Sequence, residues 1–174
     1  MKQLTISLIL LILCSCSAKT GLPPTIDNFA AEKYLGQWYE IARYENWFEK
    51  DLDNTSAFYS QKKDGRVEVL NKGYNPKKDK WKEANGFARL NTDSNKGLLR
   101  VTFMWPFFAD YRIIHIDGNY EHAIVGSNTF KYLWILSRSP SISEDKKSEL
   151  LEILKGYNYD VSKLIYPNQD KNKF

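Results

Sequence analysis

From Gly36 to Arg138 the chain divides into short stretches in which apolar and polar residues alternate, each ending in a turn signal. A period of two sends successive side chains to opposite faces of an extended strand. The strands are expected near 37–45, 55–62, 66–73, 81–90, 98–104, 109–117, 121–127 and 131–138. Between them stand Asp64-Gly65, Asn75-Pro76, Asn91 to Gly97, Pro106, Asp117-Gly118 and Ser127-Asn128 as turns or loops. Short strands at such even spacing restrict the fold to an all-β sandwich or barrel. The 9 Phe, 11 Tyr and 5 Trp suit both strands and a large apolar interior.

The helical period takes over only after the last strand. Lys147, Leu150, Leu151, Leu154 and Tyr157 fall on one stripe, which predicts a helix packed against the outside of the sheet. Ser141 and Glu144 have capping-box spacing, with Ser143 as a rival N-cap, and Gly156 is placed to stop the helix. Val161 to Tyr166 is expected to add a short strand before a polar tail.

Ahead of the strands, Lys2 and the apolar run Leu4 to Leu13 read as a secretory signal. About ten residues are too few to span a bilayer, which takes about 20. The following Leu13-Cys14-Ser15-Cys16 resembles the bacterial lipobox, in which a small residue precedes the cysteine that is lipidated. Cys16 fits this pattern; Cys14 fits poorly because Leu13 precedes it, and the alternative is an ordinary cut near Ala18. The expected organisation is a signal over 1–15, a lipidated Cys and flexible tether over 16–30 with Gly21, Pro23 and Pro24, and one domain over 31–174. Ser17, where inner-membrane lipoproteins tend to carry Asp, points to the outer membrane of a Gram-negative envelope, with the domain on the periplasmic side. Both cysteines precede the domain, so it holds no disulfide, thiol nucleophile or cysteine-based metal site. A formal net charge of +4, scattered along the chain, excludes the basic stripe that nucleic acid needs.

Gly36-Gln37-Trp38-Tyr39-Glu40-Ile41-Ala42 resembles the Gly-x-Trp motif that opens the first strand of lipocalins. Asp117, in Ile116-Asp117-Gly118, matches the Asp of the family's second motif while its neighbours depart from it, and Leu136-Ser137-Arg138 matches the arginine that ends the eighth strand. Asn71 to Pro76 and Tyr132 to Arg138 are similar to the bacterial outer-membrane lipoprotein lipocalins, the apolipoprotein D-like branch. The resemblance runs from Cys16 to about Tyr166. It implies an eight-stranded antiparallel up-and-down barrel with one C-terminal α-helix outside. It further implies a membrane-anchored carrier of fatty acids or lysophospholipids that needs no cofactor.

In such a barrel the first strand leaves one end and the eighth returns to it, so Trp38 and Arg138 meet at a closed floor, with Gly36 beside them. The loops at 64–65, 91–97 and 117–118 then lie at that end. Those at 45–54, 75–80, 105–108 and 127–130 form a mouth rich in aromatics: Trp47, Phe48, Trp105, Phe107, Phe108 and Phe130. Counting by twos from Trp38 places Glu40 and Ala42 inside, and Tyr132, Trp134 and Leu136 share the parity of Arg138. The resemblance adds Ala57, Tyr59, Val67, Val69, Ala84, Ala88, Val101, Phe103, Tyr111, Ile113, Ala123 and Val125 to the interior. Of these, Ala57, Tyr59, Val67, Val69, Ala84, Ala88, Val101, Phe103, Tyr111 and Ile113, with Tyr132 and Trp134, are the expected ligand lining. The small residues among them leave volume for an acyl chain, worth about 0.8 kcal/mol per buried methylene.

Glu40 and His115 are expected to point inward near the floor as internally hydrogen-bonded groups. Lys50, Lys77, Lys78 and Lys131 stand near the mouth, where a carboxylate or phosphate head group would meet them. His115 and His122 are expected on opposite faces of neighbouring strands, so no metal site and no catalytic group is assigned. Enzymatic lipocalins that use a barrel cysteine have no counterpart here. Binding is therefore favoured over catalysis, with a lipid-modifying barrel enzyme and a structural envelope lipoprotein with a filled barrel as the alternatives. The sequence leaves monomer and homodimer both open.

Overall fold

The computed structural model describes residues 21–90 and 96–172. In chain order it contains α1 (Ala31–Tyr34), β1 (Gly36–Tyr44), β2 (Asp53–Gln61), β3 (Val67–Asn75), β4 (Lys80–Leu90), β5 (Leu98–Met104), β6 (Phe107–Ile116), β7 (His122–Gly126), β8 (Leu133–Ser137), α2 (Glu144–Gly156) and β9 (Leu164–Ile165). Consecutive strands pair antiparallel, and β1 closes the ring by pairing with β2 on one side and β8 on the other. Closure removes the free edges that an open sheet of this apolar content would expose. All eight expected barrel strands form, with their ends within two residues of expectation.

Two bulges change which residues face inward. In β1, Glu40 pairs with Leu136 but Ala42, not Ile41, pairs with Ile135, and in β6, Ile113 pairs with Val125 but His115 pairs with Ile124. Each bulge inserts one residue and shifts the alternation by one. Ala42, expected inside, therefore packs in the outer apolar cluster, and Arg43 takes the inward place opposite Trp134. His115 is likewise turned outward, toward Lys146 and Glu149 of α2, rather than into the barrel.

The outer cluster is the seat of α2. Leu150 and Leu154 are fully buried against Ala42, Ile114, Ile124, Leu133 and Ile135. Each contributes roughly 1.5–3 kcal/mol by leaving water. Ser143, not Ser141, caps the helix, accepting from the Lys146 amide at 3.2 Å. Gly156 does not stop it: Asn158 adopts the left-handed conformation (φ 64°), its N–H donates to Lys155 O, and the Tyr159 N–H returns to Leu154 O. These two bonds form a Schellman motif with asparagine in glycine's usual place.

Both chain ends that read as polar or flexible are built into the barrel. Of the expected tether, residues 21–30 are described, and they lie along the wall. Ile26 N donates to Ile113 O (3.0 Å), Gly97 N to Ile26 O (2.9 Å), and an Arg112 guanidinium N–H to Pro23 O (3.1 Å). The expected signal segment, Cys16 and the rest of the tether lie outside the described residues. At the other end, β9 pairs with Arg43 and Tyr44, at the mouth end of β1. Beyond it, Gln169 fills the gap between β1 and β2 by donating to Glu40 O (2.6 Å) and Thr55 O (3.0 Å).

Candidate functional site: the barrel interior and its mouth

The floor is closed by stacked cation and rings. The Arg138 guanidinium carbon sits 3.9 Å from the Trp38 ring centroid, and its N–H groups donate to the carbonyls of Tyr120, Gln37 and Lys33 at 3.1, 2.7 and 2.7 Å. Three carbonyls from three segments satisfy the half-buried cation. Gly36 lies against it with φ 94°, and a Cβ there would stand 3.4 Å from the guanidinium. Beneath Trp38, whose indole N–H donates to Tyr34 O (2.8 Å), Tyr34 and Phe29 complete the plug.

At the floor, two tyrosines reach across the barrel. Tyr59 on β2 and Tyr111 on β6 arise from strands on opposite sides of the ring, and their hydroxyls lie 2.9 Å apart. The Tyr34 hydroxyl joins them, 2.7 Å from that of Tyr111. Burial favours the neutral form of all three phenols, raising Tyr59 to about 12 and Tyr34 and Tyr111 well above the usual value.

The residues read as lining are distributed along this axis. Tyr59, Val67, Val69, Ala88, Val101 and Ile113 belong to the buried inner core, with Ala123, Val125 and Leu136. Ala57, Tyr111 and Trp134 pack against the same core yet keep accessible surface. Ala84 pairs through Asn71 with the row of Ala57 and Trp38, and it too is only part-buried. Inward-facing side chains that remain accessible mark an interior that widens from floor to mouth. Phe103 reaches only the rim: 46% exposed, it lies over Gly86, where a Cβ would fall 2.7 Å from its ring. Tyr132 is also at the mouth, stacked on Trp134 (6.0 Å, 6°) and Phe48 (6.1 Å, 27°).

The upper wall holds a charged group that counting by twos from Trp38 misses. Arg43 bonds Glu40 at 2.5 Å, donates to the carbonyls of Glu49 and Leu52 (both 3.1 Å), and lies 3.9 Å from the Glu49 carboxylate. Glu49 in turn accepts from the Trp134 indole (3.0 Å) and the Asn46 amide (2.5 Å). Arg43 thus clamps the β1–β2 loop over the barrel. Burial, and then the negative charge of Glu49, push the Glu40 carboxyl up to about 8 against the opposing pull of Arg43. Only the bulge at Ile41 brings Arg43 inside, and nothing in the local alternation announces it.

At the rim a pocket of about 380 Å³ is lined by Lys50, Asp51, Leu52, Asn75, Lys78, Lys80, Trp81 and Lys82. Of the four lysines named from the sequence, Lys50 and Lys78 belong to it. Lys77 is engaged with Asp51 at 2.7 Å, and Lys131 stands exposed on the β7–β8 loop. Lys82, which was not anticipated, donates to Phe48 O (2.8 Å). Trp47, Trp105 and Phe107 are 77%, 64% and 73% exposed at the same end, although Trp105 folds back onto Phe87 and Phe108.

The two histidines serve separate places. His122 Nδ1 lies 2.6 Å from Asp117, which also accepts from the Glu121 amide (2.7 Å). Partial burial opposes ionisation of Asp117, but these hydrogen bonds hold it below the usual carboxylate value. Asp117, Glu121 and His122 bring one potential ligand atom each within 4.8 Å of one another, yet they are already engaged in closing the β6–β7 turn.

A closed eight-stranded antiparallel barrel, plugged at one end and open at the other beneath a clamped loop, with a single helix outside, defines a small-molecule-binding barrel. Residues 29–169 match the Lipocalin-like domain, and the chain belongs to the lipocalin family. It is 41% identical over 162 residues to the outer membrane lipoprotein Blc of Escherichia coli (strain K12), covering 91% of this chain and 90% of that one. Mouse apolipoprotein D is 32% identical over 159 residues, covering 87% and 82%. Among solved structures, insecticyanin from the tobacco hornworm superposes with a TM-score of 0.70 at 20% identity, covering 84% of each chain. That identity speaks for the fold alone.

Proposed function

We propose that this protein is a membrane-anchored lipid carrier that holds a fatty acid or lysophospholipid in its barrel, at the periplasmic side of an outer membrane. The observation that carries the reading is the interior itself: Ala57, Ala84, Tyr111 and Trp134 face inward on a closed wall and still keep accessible surface. Apolar walls around such a space favour an acyl chain at about 0.8 kcal/mol per methylene. The basic rim pocket with Lys50, Lys78, Lys80 and Lys82 suits a carboxylate or phosphate head group left at the mouth. The outer-membrane lipoprotein relatives, together with Cys16 in its lipobox-like setting, support the anchor. The chemistry required is binding and release rather than bond making.

Delipidated protein should bind a fluorescent fatty acid and release it when oleate or a lysophospholipid is added. Native mass spectrometry should show one lipid per barrel. Absence of binding by both measurements would sink this reading in favour of a filled structural barrel.

A further inference from the structure

The phenol bridge across the barrel has more hydrogen-bonding capacity than it uses. Three hydroxyls bring three protons, and two bonds join them, Tyr34 to Tyr111 and Tyr111 to Tyr59. Whichever way those bonds point, one O–H proton remains for a fourth oxygen. A plain apolar plug would have served the floor with phenylalanines at these places. Tyr59 and Tyr111 instead reach from opposite walls to meet at their polar tips, so oxygen as well as ring carbon closes the lower end of the barrel, and Tyr111 keeps accessible surface there. The wall above carries Ala57, Asn71 and Ala84 in one row, with Val125 on the far side and the Arg43–Glu40 pair nearer the mouth. Tyr59 lies six residues in from the mouth end of β2, about 15 Å down the axis at ordinary strand rise and tilt.

We infer that the Tyr34–Tyr111–Tyr59 bridge is a ligand subsite that donates a hydrogen bond to an oxygen at the buried end of the guest. The class of guest it selects is a long apolar skeleton with a hydroxyl or keto oxygen at the end remote from its head group. This rests on the lumen being the lipid site, and it adds a preference that an apolar barrel would not have. A hydroxyl carried to an apolar floor costs affinity because its bonds to water are not replaced. Over the bridge the same hydroxyl gains a partner.

The test compares a long saturated fatty acid with its counterpart bearing a hydroxyl on the terminal carbon, each displacing a fluorescent fatty acid. In the wild type the hydroxylated acid binds about ten-fold tighter, the worth of one good hydrogen bond. Replacing all three hydroxyls, as Tyr34→Phe with Tyr59→Phe and Tyr111→Phe, removes every donor of the bridge and brings the ratio of the two affinities to one or below, with far-UV circular dichroism showing that the variant is folded. If the hydroxylated acid binds equally or more weakly in the wild type, the fourth oxygen is only solvent and the subsite is refuted. A preference that survives the triple substitution arises elsewhere and refutes it too. If neither acid binds, the lumen reading fails and the subsite with it; if the plain acid binds normally, only the subsite is at stake.

Discussion

Arg43→Met is the substitution that most directly probes how the mouth is held. The guanidinium is 3% exposed and holds Glu40 together with the carbonyls of Glu49 and Leu52. Removing it leaves a buried carboxyl beside a second acidic group and two carbonyls without their donor. Above about pH 8, where Glu40 is ionised, breaking one side of this buried ion pair costs about 3–5 kcal/mol. For a domain of this size that lowers Tm by roughly 10 °C. Replacing both partners, as Glu40→Leu with Arg43→Met, removes the uncompensated charge and leaves only the two carbonyls, so about 1–2 kcal/mol of loss should remain. Urea unfolding followed by tryptophan fluorescence measures the singles and the double in one cycle, the signature being a shifted midpoint at unchanged m. A loss below 1 kcal/mol for Arg43→Met, or a double variant equal to the sum of the singles, would show that the clamp is not the unit described.

The same carboxyl sets a pH dependence. Glu40 is raised from an ordinary 4.5 to about 8, so its contribution is fully present below about pH 4.5 and is lost as pH rises to about 8. Glu40→Gln mimics the protonated form, and its stability relative to wild type should grow across that window; parallel stability curves would refute the shifted value. The anchor is tested apart from the barrel: Cys16→Ala should move the protein from the membrane to the soluble fraction, and retention on the membrane would leave the exposed mouth aromatics Trp47 and Phe107 to account for it.

What the sequence determined by itself was the ring and its direction. Alternation with regular turn residues yields strands, and the placement of Trp38 at the start of the first strand and Arg138 at the end of the eighth brings them to the same pole, where they stack at 3.9 Å. Such signals are local or depend only on strand order, so they survive without coordinates. Tertiary structure decided the phase. Counting by twos from Trp38 reaches Glu40 correctly and then fails at Ala42, because the bulge at Ile41 exists only in the pairing of β1 with β8, a partner about 95 residues away, and leaves no mark in composition. His115 was misplaced by the second bulge for the same reason. The ends were misread differently. Pro23 to Ile26 looked like tether and Gln169 like tail because each of their bonds has a backbone group on at least one side, Pro23 O to the Arg112 guanidinium, Ile26 to backbone, and the Gln169 amide to two carbonyls, and every residue carries such groups. The tyrosine bridge lies between these cases: Tyr59 and Tyr111 were legible as inward-facing, but only closure of the barrel sets their hydroxyls 2.9 Å apart.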